Sequence, residues 1–84
     1  MTHQFRPRGV CSRKITFDLE DGIVRNVRFE GGCNGNTQGL ARLAEGMPAR
    51  ELVQRLAGIR CGLKDTSCPD QLAQAVTQAM RENA

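Results

Sequence analysis

Four residues in this chain have the side-chain chemistry to build a site: Cys11, Cys33, Cys61 and Cys68. Cys33 lies in Gly31-Gly32-Cys33-Asn34-Gly35-Asn36, where a strand pattern gives way to a helical one. Cys68 lies in Thr66-Ser67-Cys68-Pro69-Asp70, at the start of the last helical pattern. Both are predicted beside helix N-termini, where unpaired backbone N–H groups and the helix dipole favour thiolate. Thiolate is the form that ligates metal or attacks electrophiles. Cys11 comes just before the first clear strand and Cys61 falls on a loop. Four thiolates from loops and element ends can converge without interrupting a core. That is the pattern of a tetrahedral zinc site or, second, of an iron–sulfur cluster. There is no Cys-x-x-Cys knuckle; six residues separate Cys61 from Cys68, and a whole hairpin separates Cys11 from Cys33. The competing reading of any one cysteine is a small buried apolar residue. It weakens for the four together, because each has Gly, Asn, Ser or Pro beside it.

Other polar residues read first as structure. Ser67, or Thr66, is placed to cap the last helix, and Asp70 to sit in its first turn against the positive end of the dipole. Asp70 is also a candidate second-shell or oxygen ligand two residues beyond Cys68. Asn34 and Asn36 are cap candidates for the first helix. His3, the sole histidine, reads as a solvated side chain near the chain start rather than a ligand. No Ser-His-Asp set, P-loop or post-strand Gly-x-Gly-x-x-Gly is present, and no catalytic residue is assigned.

The elements that must position these groups follow from periodicity. Residues 2–10 read as extended, with Pro7 limiting sheet pairing. Ile15, Phe17 and Leu19 alternate with polar residues, as in a half-buried strand. Asp21-Gly22 marks a tight hairpin. Ile23, Val27 and Phe29 continue one face of the return strand, with Arg25 interrupting. Leu40, Leu43, Ala44 and Met47 give a helical stripe that Gly46 ends. Pro48 suits the first turn of a second helix with Leu52, Val53, Leu56 and Ala57. Ile59 is expected to tuck into the core. Leu72, Ala75, Val76, Ala79 and Met80 form the stripe of the third helix. The expected fold is a single α+β domain over residues 1–84: a small three-stranded antiparallel sheet with about three helices packed on one face.

Composition bounds the rest. Eighty-four residues with three Phe and no Trp or Tyr make a thin core, of a size where a staple is often needed. The net charge of +3 is spread along the chain, apart from a basic N-terminal group of Arg6, Arg8, Arg13 and Lys14. That group has the charge to attract phosphate, but no aromatics interleave with it, so nucleic-acid binding ranks low and a solvated face is the default. No apolar run reaches membrane-spanning length, and the start lacks a signal-peptide core. A cytoplasmic setting is expected. In that reducing environment four cysteines favour metal or redox chemistry over structural disulfides.

The chain resembles the TSCPD domain family in its small stand-alone form. The residues that carry the resemblance are Gly9-Val10-Cys11-Ser12-Arg13, the Gly31 to Asn36 segment, Glu45-Gly46-Met47, Gly58-Ile59-Arg60-Cys61-Gly62, and Thr66 to Asp70 followed by Gln71-Leu72-Ala73. Such domains also occur at the C-terminus of adenosylcobalamin-dependent (class II) ribonucleotide reductases. The resemblance therefore implies a link to deoxyribonucleotide synthesis. The chain has no room for that enzyme's barrel, so the implied role is an accessory one beside its catalytic subunit: a metal-held module, or a thiol relay using Cys61 and Cys68. The order of elements is also similar to iron–sulfur scaffold proteins of the IscU/NifU type, with Cys11, Cys33 and Cys68 (or Cys61) matching their cluster cysteines. Those scaffolds have Asp where this chain has Arg13, and His where it has Ser67 or Arg60. A fourth cysteine in place of the missing ligand implies a closed centre rather than a releasable cluster.

Overall fold

The computed structural model describes residues 2–10, 12–31, 34–60, 62 and 65–82, and side chains in the first helix from residue 37 onward. In chain order these form β1 (Thr2–Phe5), β2 (Ser12–Glu20), β3 (Ile23–Gly31), α1 (Asn34–Ala44), β4 (Met47–Pro48), α2 (Ala49–Leu56) and α3 (Cys68–Glu82). The sheet runs β1-β2-β3-β4 with every neighbouring pair antiparallel. The class is α+β. The sheet has four strands where three were expected, because residues 47–48 pair with residues 23–24. Pro48 hid this strand. It lies on a sheet edge, where its missing N–H removes no ladder bond. The neighbours on either side supply the donors: Gly46 N–H bonds the Val24 carbonyl and Ala49 N–H the Gly22 carbonyl, both at 2.8 Å. Pro48 thus stands at the N-cap of α2 rather than inside its first turn.

Asp21 and Gly22 both take positive φ, 51° and 78°, as a two-residue turn between right-twisted strands demands. Beyond that turn, two register slips set which side chains face inward. Ile15, Phe17 and Leu19 of β2 are buried. Across from them, β3 buries Val24 and Val27, three residues apart instead of two. The ladder pairs Thr16 with Arg28 but Asp18 with Arg25, so β3 carries one extra residue there. Asn26 sits in that bulge with φ 55°. Its N–H is held by Glu45 Oε1 and its carboxamide by Asp18 Oδ2, both at 2.8 Å. Strict alternation would have turned Val24 outward and left Arg25 among the inward positions; the bulge reverses both. A second slip, between Ser12 and Lys14, adds one residue to β2 at Arg13. It puts Ser12 on the same buried side as Ile15 despite their odd spacing.

The helices cover this side and share one core with it. α1 packs on β3, α2 on α3 and β4, and α3 on β1 and β2. The α3 stripe of Leu72, Ala75, Val76 and Ala79 is buried, with Met80 half-buried. In α1 the inward residues are Thr37, Leu40, Ala41 and Ala44. Leu43, read as part of that stripe, is 74% exposed, since it falls one position outside the i, i+3, i+4, i+7 series that starts at Thr37. Ile59 does not tuck in either; it is 40% exposed, and its carbonyl rather than its side chain makes the tertiary contact. His3 is not solvated: its ring stacks on Phe17 with centroids 5.5 Å apart, its Nδ1 lies 3.7 Å from Glu82 Oε2, and its side chain is only 11% exposed. An edge strand whose alternate residues face α3 carries His3 and Phe5 inward together.

Candidate functional site

The start of α3 gathers strands, loops and a second helix onto five consecutive residues. Ser67 is the cap. Its Oγ accepts the Asp70 N–H at 3.1 Å, and its carbonyl accepts the Gln71 N–H at 2.8 Å as the first helical bond. The same Oγ donates to the Ile59 carbonyl at 2.7 Å. One hydroxyl therefore closes α3 and ties down the chain that leaves α2. Pro69 falls in the first turn, where helical N–H groups have no intrahelical acceptor and its own is not missed.

Asp70 does more than stand near the dipole. It is buried, at 7% exposure, and both carboxylate oxygens are engaged. Oδ1 accepts the Gly58 N–H at 2.7 Å, and Oδ2 accepts the Thr66 hydroxyl and the Gln74 carboxamide, the latter at 3.0 Å. The Thr66 hydroxyl, then the Gly58 N–H, hold its carboxyl below the ordinary aspartate range; burial opposes them, and Gln74 adds to the lowering. Thr66 Oγ1 also accepts Gln71 Nε2 at 2.9 Å, and Gln71 Oε1 accepts the Arg8 N–H at 3.1 Å. The chain of bonds runs Arg8, Gln71, Thr66, Asp70, Gly58. It fastens the N-terminal loop to α3 and α3 to the end of α2. Gly9 fits against this clasp. It has φ 74°, and a Cβ there would lie 3.1 Å from the Thr66 methyl.

Cys68 occupies the first helical position after Ser67. It is a free thiol, neither fully buried nor exposed. Its Sγ lies 3.3 Å from the Oγ of Ser12, a contact spanning 56 residues of sequence. Ser12 in turn pairs with Gly31 across β2 and β3. Cys11, Cys33 and Cys61 lie outside the described residues, as does the side chain of Asn34. Among the described residues no group of three His, Cys, Asp or Glu side chains is placed to hold a metal ion. Cys68 presents sulfur at a helix start beside a hydroxyl able to donate to it. Asp70, the nearby carboxylate, has both oxygens committed to hydrogen bonds, which leaves it a role in holding the frame.

Sequence reasoning identified the cap and the first-turn acid but missed Ser12 and Gln71. Ser12 gave no signal, because the slip at Arg13 decides which way it faces. Gln71 entered only among the residues that carry the family resemblance. Its place one position past a first-turn acid, in a helix whose apolar stripe begins at Leu72, was the available hint that it faces the neighbouring loop.

No helix among the described residues is long and apolar enough to cross a membrane. No curated protein and no solved structure matches the chain. The family model described as the TSCPD domain matches residues 1–80. The residues whose one-letter codes spell that name run from Thr66 to Asp70, across the cap and first turn of α3, and the chain belongs to the TSCPD domain family.

Proposed function

We propose that this protein is a small four-cysteine metal-binding module, with Cys11, Cys33, Cys61 and Cys68 holding one zinc ion, and that it serves in the cytoplasm as a non-catalytic accessory to the catalytic subunit of a class II ribonucleotide reductase. One observation carries the metal reading. The described residues that flank the four cysteines in sequence are fastened to one another at one corner of the fold. Ser12, which follows Cys11, touches Cys68 and pairs with Gly31, two residues before Cys33. Ile59, two residues before Cys61, is bonded to Ser67, which precedes Cys68. A closed tetrathiolate zinc supplies folding free energy and no redox chemistry. The reductase link rests on the family resemblance, as does a fold of the IscU/NifU scaffold kind.

A second reading is supported by the free thiol of Cys68. In a thiol relay, Cys61 and Cys68 would form a disulfide, passing two electrons and two protons to a disulfide of the partner enzyme, which becomes a dithiol. Metal analysis of protein purified without chelators separates the readings. About one equivalent of zinc is expected, lost in Cys68→Ser. Less than about a tenth of an equivalent of zinc or iron sinks the metal reading. A brown protein containing iron and sulfide would replace zinc with a cluster.

A further inference from the structure

A separate feature lies along the outer flank of the same helix. Between β1, the loop that follows it, and α3 there is a cleft of about 460 Å³, within the size range of small-molecule sites. Arg6 and Arg8 stand on one side, Gln74 and Gln78 on the other, with Gln4 at an end and the half-buried ring of Phe5 between them. No carboxylate lines it. Among the described residues neither guanidinium is in an ion pair. The scaffold beneath is fixed. Gln71 is buried with both ends of its carboxamide bonded, and it holds the loop through the Arg8 N–H. The Arg8 side chain is thereby left to the cleft while its backbone is pinned. Gln74 spends its amide N–H on Asp70 and keeps its carbonyl oxygen as an acceptor. Among the described residues Gln78 has only a long 3.4 Å bond to Glu82.

Two unpaired guanidiniums one residue apart are suited to oxyanions, which they meet through paired N–H donors. Carboxamides one turn apart on a helix present donors and acceptors together, and half-buried Phe5 adds an apolar part to the lining. We infer that this cleft binds a small phosphorylated molecule, with the phosphate on Arg6 and Arg8 and its polar remainder along Gln74 and Gln78 over Phe5. The site is independent of the cysteine centre and stands whichever metal, if any, that centre holds.

The test is an NMR titration of the 15N-labelled full chain at constant ionic strength. The probes are inorganic phosphate, ribose 5-phosphate, adenosine monophosphate and succinate. Saturable shifts are expected at the Arg6 and Arg8 amides and the Gln74 and Gln78 carboxamides. The two organic phosphates should bind more tightly than inorganic phosphate, and succinate should be weakest. Arg6→Gln with Arg8→Gln should weaken the organic phosphates by about tenfold or more without moving signals from the core. Gln78→Ala should weaken the organic phosphates and leave inorganic phosphate unchanged. No saturable shift up to about 10 mM of any probe overturns the proposal, as does binding indifferent to both arginines. Succinate binding as tightly as the phosphates overturns the phosphate assignment.

Discussion

Asp70 is a buried carboxylate held by three hydrogen-bond donors, with no ion pair among the described residues. Asn keeps the shape and one acceptor but cannot accept on both sides, so Asp70→Asn should cost about 1–2 kcal/mol in a denaturant or thermal melt. The linkage sign follows from the direction of the shift. The folded-state pKa lies below the unfolded value, so the contribution is present in full above the unfolded aspartate range and fades as pH falls through about 4 toward the folded value. Asp18, lowered by the Thr2 hydroxyl and the Asn26 carboxamide, loses its contribution in the same window. Between about pH 5 and pH 2 the wild type should therefore lose more stability than Asp70→Asn. Parallel losses in the two proteins would show that the carboxylate's charge does not matter to the clasp. At this scale the sequence was half legible. An acid after Cys-Pro near a helix start reads as a dipole partner; that it also receives a glycine N–H from the end of another helix depends on tertiary packing.

At the scale of elements, phase matters most. The bulge at Asn26 lets β3 bury Val24 and Val27 together, and its positive φ is one that asparagine tolerates and branched residues resist. Asn26→Gly should keep the backbone conformation, lose the exposed side-chain bond to Asp18 and melt close to the wild type. Asn26→Val should cost about 1–2 kcal/mol. Equal melting of the two variants would mean the backbone strain is absent. The hairpin at Asp21-Gly22 and the α3 stripe were readable because each follows a single period from end to end. The β3 face was not, because one inserted residue changes the parity midway. β4 was not, because two residues carry no period and the proline among them argues against a strand.

For the whole molecule, the fully buried large side chains are few: Phe17, Ile15, Leu52, Leu72, Val24 and Val76 lead them. Phe17 also forms the surface on which His3 stacks. Phe17→Ala should cost about 3–5 kcal/mol, a large share of what a domain of this size has. Under the zinc reading, its melting temperature should rise with added zinc, since a ligand of the folded state stabilises by mass action. A melt unmoved by zinc in both wild type and variant would argue against a structural metal. The sequence named four cysteines as the likeliest site, and the structure describes one of them, Cys68, held against Ser12. The clasp joins the N-terminal loop, the start of α3 and the chain that leaves α2, and its members look like ordinary turn and helix residues when read singly.

The extra residue at Arg13 has a consequence for chain length. Its side chain is exposed, so most substitutions there should be tolerated. Deletion should be tolerated as well: it leaves Ser12 two residues before Ile15, so plain alternation keeps both on the buried side and the pairs Ser12 with Gly31 and Lys14 with Glu30 become continuous. The converse change is the disruptive one: if the extra residue were drawn into the regular ladder at the present length, Ser12 would turn to the outer side and away from Cys68. At this position parity rather than identity decides where Ser12 faces, and an alignment of side-chain types alone would pass over it.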